Sequence, residues 1–208
     1  ATFAGTLTAS QILSYGGIPT TTTAAASSSS GPGYLEFKAA NATRLLLGAP
    51  VFGMADDHCV VAALSIAATP PWMYDIFTQR GATGTPIVCE LNINVANKPD
   101  ATWRDDAGTL LQLTGPTPLT VGQTYVIAAR KIGNTQTLWV NGVQVASSNT
   151  AFGTTTITNA AIGGDSQTGG GNYFNGNIYD IIPIKGTVSD ADLAINGKFS
   201  AQLAGITL

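Results

Sequence analysis

An all-β fold is predicted for this chain: a two-sheet antiparallel β-sandwich carrying one short C-terminal helix. Three observations predict it. From Tyr34 onward, short apolar-rich runs alternate with turn residues, and no helical repeat separates them. In "LWVNGVQV", Asn141-Gly142 lies between two alternating runs, the pattern of a two-residue hairpin. Only the end of the chain has helical features.

Taken in order, residues 1–19 show weak β alternation, and "TTTTAAASSSSGPG" (20–33) has no side chain that builds a core. Residues 1–33 are therefore expected to form an N-terminal arm and low-complexity linker, held by a neighbouring subunit, and 34–208 the sandwich. The expected strands are "YLEFKA", "TRLLLG", "CVVAALSIA", "YDIFTQ", "IVCELNINV", "TWRD", "LLQLTG", "TYVIAARKI", "TLWVNG", "VQVASS", "TITNAAIGG" and "NIYDIIPIKG". A type I′ turn at Asn141-Gly142 pairs Val140 with Val143, Trp139 with Gln144 and Leu138 with Val145. Ser189 to Asp192 forms a capping box with Asp in place of Glu, and Ile195, Phe199 and Leu203 make the apolar stripe of a helix that stops at Gly205. Trp139, on the hairpin's other face, is expected beneath that stripe, the alternative being a face open to a ligand or a neighbouring subunit.

Composition limits the function classes. Only 10% of the 208 residues are charged, with nine basic and twelve acidic side chains and no charge run, so the counterion-release contribution that drives nucleic-acid binding is missing. No apolar stretch nears the ~20 residues of a bilayer span, and neither nucleic acid nor membrane is an expected partner. Cys59 and Cys89 fall in strand-like runs and are read as buried thiols in preference to a bridge. His58, the only histidine, follows Asp56 and Asp57 without metal-ligand spacing, and is read as a strand start.

From these residues the chain resembles the laminin G-like, or concanavalin A-like lectin/glucanase, jelly-roll domains. "VGQTYVIAARKIGNTQTLWVNGVQVASS" is similar to the family's paired strands ending in Asn-Gly-Val. In "AAIGGDSQTGGGNYFNGNIYDIIPI", Phe174, Gly176, Ile178 and Asp180 stand where the family has Phe-x-Gly-x-Ile-x-Asp/Glu. "VSDADLAINGKFSAQLAGITL" resembles the terminal helix of bacterial and phage members, and "GYLEFKAANATRLLLG" the opening strand pair. Gly142, Gly163, Gly164 and Gly176 also read independently as turn or bulge positions.

Glucanases of this fold carry Glu-x-Asp-x-x-Glu on one strand, setting two carboxylates about 5–5.5 Å apart for retaining chemistry. Glu36 and Glu90, the only glutamates, have no such neighbours, and the adjacent Asp105 and Asp106 read as a solvated turn. No catalytic residue is assigned and the chain is read as no enzyme; a divergent glycoside hydrolase is the less favoured alternative. Aromatic and amide groups suited to sugars are Trp72, Tyr74, Trp103, Asp165, Asn172 and Tyr173, with packing as the competing role of each. The resemblance leaves room for calcium (Ca2+) near Asp165, but a single carboxylate among glycines falls short of six to eight oxygen ligands, so no metal site is assigned. The expectation is a non-catalytic lectin-like module on a virion or cell surface. It would be a phage structural or decoration protein, oligomeric or bound to other virion proteins through residues 1–33, with cell-surface glycans as ligands. A secreted bacterial carbohydrate-binding module is the alternative.

Overall fold

A computed structural model describes residues 33–81, 87–167 and 171–208. The arm assigned to residues 1–33 thus lies almost wholly outside the described residues.

The strands are β1 (Leu35–Phe37), β2 (Leu45–Leu46), β3 (His58–Ile66), β4 (Met73–Arg80), β5 (Ile87–Asn94), β6 (Pro99–Arg104), β7 (Leu110–Thr114), β8 (Thr124–Ile132), β9 (Thr135–Val140), β10 (Val143–Asn149), β11 (Asn159–Ile162) and β12 (Gly176–Lys185). Helix α1 (Asp190–Leu203) closes the chain. Each expected run yields a strand, and the run at "TWRD" begins earlier, at Pro99. All pairings are antiparallel and form two six-stranded sheets, β1-β12-β3-β8-β9-β10 and β2-β11-β4-β5-β6-β7, hereafter the first and second sheets.

The core fills the space between them. Val60, Ala62, Leu64 and Ile66 of β3 alternate inward to meet Phe77, Leu91, Ile93 and Trp103 of the second sheet. The odd positions of β3, Cys59, Val61 and Ala63, face outward and are covered by α1, so both faces of β3 are apolar and all nine of its residues are buried. At Gly176 (φ 154°) the backbone runs so close to β3 that an added Cβ would lie 2.0 Å from the Ser65 carbonyl, which excludes any side chain there.

The hairpin forms as the dipeptide demands, with Asn141 at φ 48° and Gly142 at φ 77°. Val143 pairs with Val140 and Gln144 with Trp139, but a bulge after Gln144 sets Ala146, not Val145, opposite Leu138. The capping box is present: Asp192 N–H donates to Ser189 Oγ at 3.1 Å, and Ser189 N–H donates to Asp192 Oδ2 at 3.3 Å.

The expected helix stripe is corrected. Ile195, Phe199 and Leu203 are the exposed side of α1, at 65%, 53% and 37%. The buried side is Leu193, Gly197, Ser200 and Ala201, and Ser200 Oγ donates to Asp180 Oδ2 on β12 at 2.7 Å. Small residues win because α1 lies close on the sheet, where β3 and β8 present Val61, Ala63, Val126 and Ala128. Trp139 is half-buried in this same outer cluster, as expected, but its helix neighbours are not the stripe residues. Its Nε1–H donates to Thr137 Oγ1 at 2.9 Å and its ring lies 5.5 Å from the Arg130 guanidinium.

Candidate polar site on the second sheet

The inner positions of β4, β5 and β6 are apolar, so period-two alternation sends their polar residues to the outer face. Strand pairing arranges these in three rows. Asp75, Asn92, Asp100 and Thr114 stand side by side across four strands. Glu90, Thr102 and Gln112 form the next row, and Arg80, Ile87, Arg104 and Leu110 the third. A bulge interrupts β4 between Asp75 and Phe77, and an extra residue in β5 near Cys89, which adopts φ 56°, shifts the register toward both β4, between Phe77 and Arg80, and β6, between Ile87 and Glu90. Each of Asp75, Arg80 and Glu90 therefore adjoins a bulge, the irregularity that re-aims side chains beside functional sites.

Arg80 organises the charges. Its Nη2 donates to Glu90 Oε2 at 2.6 Å, and its Nε lies 3.5 Å from Asp165 Oδ1. Asn92 Nδ2 donates to Glu90 Oε1 at 3.3 Å. Asp100 accepts from both Asn94 Nδ2 and Gln112 Nε2. Burial, then the Glu90 charge, pushes the Asp75 carboxyl well above the usual carboxylate range. Burial also raises Glu90, against the pull of Arg80, and burial raises Asp100.

Buried polar atoms with no hydrogen-bond partner gather on this face. They include both Asp75 carboxyl oxygens, Asn92 Oδ1, Arg80 Nε and Arg104 Nε, with Ser166 Oγ in the loop beside it. Native structures leave few such atoms, and each calls for a bound water, an ion, a ligand group or a strained arrangement. Asn172 stands at the edge of this cluster: its carbonyl accepts the Asp75 N–H at 2.8 Å, and its amide lies near the Asp75 carboxyl without closing a hydrogen bond.

The six residues suggested by sequence divide accordingly. Trp72, 69% exposed, immediately precedes β4 and lies three residues from Asp75. Asp165 and Asn172 belong to the loop between β11 and β12, which returns beside β4. Tyr173 stacks under Arg44, whose Nη1 donates to the Asp165 and Gln167 carbonyls. Tyr74 and Trp103 are core residues, because their strand parity points them inward: Tyr74 packs edge-on against Phe174, and Trp103, fully buried, donates to His58 Nε2.

Asp165 Oδ1 accepts the Gln167 N–H at 3.0 Å and lies 3.5 Å from the Arg80 guanidinium, so donors, one of them cationic, already approach this oxygen. Among the described residues no group of three or more His, Cys, Asp or Glu could hold a metal ion. His58 is buried and stacked on Phe52 at 4.3 Å, and Cys59 and Cys89 are buried and unbridged. Asp105 is not a solvated turn residue: buried, it accepts the N–H groups of Thr109 and Gly153 and ties two loops together.

Asp75, Arg80, Asn92 and Asp100 were not singled out from sequence, and Glu90 was left without a partner. Its neighbour comes from the adjacent strand, where only register reveals it. The available signal was the alternation of polar residues in "CELNIN" and the isolated Asp75 and terminal Arg80 of "YDIFTQR".

The family model described as "Concanavalin A-like lectin/glucanases superfamily" matches residues 40–194. The chain belongs to that superfamily. Solved structures with this superfamily fold include the CBM40 of a Ruminococcus gnavus IT-sialidase bound to α2,3 sialyllactose. That structure is 17% identical, with a TM-score of 0.60 over 69% of this chain and 83% of that one. A Trypanosoma rangeli sialidase in complex with the inhibitor DANA is 13% identical, with a TM-score of 0.63 over 83% of this chain and 28% of that one. The SAP-like pentraxin of Limulus polyphemus is 14% identical, with a TM-score of 0.53 over 76% and 75%. At these identities the likeness is one of fold. No curated protein sequence matches the chain. No helix among the described residues is long and apolar enough to cross a membrane.

Proposed function

We propose that the chain is a non-catalytic, lectin-like module that binds carbohydrate on the outer face of its second sheet. The observation that carries this reading is the gathering of partnerless buried polar atoms at Asp75, Asn92, Arg80 and Arg104. Sugar hydroxyls, each both donor and acceptor, suit such a mixed array, and the exposed Trp72, three residues before Asp75, offers a stacking surface. The R. gnavus CBM40 bound to sialyllactose supports carbohydrate as the ligand class.

The test is a glycan array probed with the wild-type chain and with Asn92→Ala, with and without calcium. The reading expects wild-type hits, unaffected by calcium and lost in the variant. A blank array in both conditions, or release of reducing ends from a polysaccharide, overturns it.

The proposal extends to display on a phage virion or another extracellular surface, through attachment by residues 1–33 to other surface proteins or to copies of itself. A surface low in charge and the likeness of the C-terminal segment to phage members support this. Finding the chain in purified particles, and its release on removal of residues 1–33, would establish it. A secreted carbohydrate-binding module would use the same face without the attachment.

A further inference from the structure

On the opposite side of the sandwich, α1 does not close completely over the first sheet. Between them lies a cavity of about 230 Å3, walled by Val61, Val126, Trp139, Leu193, Gly197 and Leu208, with Lys198 at its rim. We propose that this cavity is a second ligand site, which takes the ring or short chain of a small amphipathic carboxylate and holds its acid group at Lys198.

Three observations carry this. The first is size and lining: an apolar cavity of about 150 Å3 already admits benzene, so this one accommodates a fused two-ring group. The second is rigidity. Trp139 is held by the hydrogen bond from its Nε1–H to Thr137 and by Arg130 against its ring, so the aromatic wall is in place before any ligand arrives.

The third is Gly197. Glycine is the poorest helix former after proline, yet Gly197 sits mid-helix and buried. The close packing that favours small residues elsewhere on this side of α1 does not itself demand glycine here, since among the described residues an added Cβ would meet only Leu208 Cδ1, at an ordinary 3.7 Å. What the missing side chain preserves is space in the cavity.

The acid end follows from the charges at the rim. Asp190 is committed to Arg130 at 2.6 Å, whereas Lys198 makes no ion pair among the described residues. A buried ring therefore brings its carboxylate to an ammonium that has no other counter-ion among the described residues.

The experiment is a titration of the full 208-residue chain with 2-naphthoate, followed by the indole N–H signals in 15N-1H correlation spectra. The Trp139 signal is assigned by Trp139→Phe. Saturable movement of that signal is expected, with a Kd of about 1 mM or tighter. Gly197→Leu, which fills the cavity, should weaken binding about ten-fold or more. Lys198→Gln should weaken it about three-fold, and neutral 2-naphthalenemethanol should bind the wild type with that same deficit. Gly197→Ala guards against a leucine variant that does not fold: it should raise Tm by helix propensity while reducing affinity. A Trp139 signal that stays still through several millimolar ligand, or affinity that Gly197→Ala and Gly197→Leu leave intact, overturns the proposal.

Discussion

The indole N–H of Trp103 donates to Nε2 of His58 at 3.1 Å, a bond that crosses the sandwich from one sheet to the other. Indole is only a donor, so Nε2 must be the acceptor, and the ring proton sits on Nδ1 and donates to the Asp56 carbonyl. Both nitrogens are spoken for by the neutral imidazole. Burial accordingly lowers the His58 pKa to about 4.

The sign of the resulting pH dependence is defined. An unfolded imidazole takes a proton near pH 6.5, the folded one near 4. Between these values the unfolded chain binds more protons, so stability is full above 6.5 and falls by about 3 kcal/mol as the pH drops to 4. His58 is the only histidine, so its ring proton signals are unambiguous in NMR. A midpoint near 6.5 in the folded protein would refute the assignment.

Arg80 is the counter-ion of two buried carboxylates. Arg80→Met should destabilise the fold by about 3–5 kcal/mol in urea unfolding at pH 7, because Glu90 and Asp165 are left buried and unpaired. Adding Glu90→Gln to that variant should restore a substantial part of the loss.

Asp75→Asn has the opposite expectation. A carboxyl whose pKa is raised by folding contributes stability that is full below its unfolded pKa and is lost as pH rises through the folded one. The asparagine variant should therefore be more stable than wild type at neutral pH, by about 1–2 kcal/mol, while glycan binding weakens. Melting temperatures from pH 4 to pH 8 would show a shallower decline for the variant. An identical slope would contradict the raised carboxyl.

Trp72 is exposed and outside both apolar clusters. Trp72→Ala should leave the melting temperature within about 2 °C of wild type while weakening glycan binding about ten-fold or more. Unchanged binding would remove Trp72 from the site.

Helix α1 offers a direct comparison of two apolar residues. Leu193→Ala, on the buried side, should cost about 2–4 kcal/mol, whereas Phe199→Ala should fall within about 0.5 kcal/mol of wild type. Chemical denaturation of both variants measures the difference.

Sequence by itself determined the order and nature of the strands, the Asn141-Gly142 turn and the Ser189 capping box, because each is set by alternation, backbone preference or side chains three residues apart. It also identified the family. Tertiary structure alone decided which face of each element is covered. Ile195, Phe199 and Leu203 are the more apolar stripe, yet only the small side of α1 fits against the sheet. The candidate site lay beyond a linear reading for the same reason. Asp75, Arg80 and Glu90 are brought together by strand register and its irregularities, and the weakened acidities of Asp75 and Glu90 come first from burial, which no residue carries in its own identity.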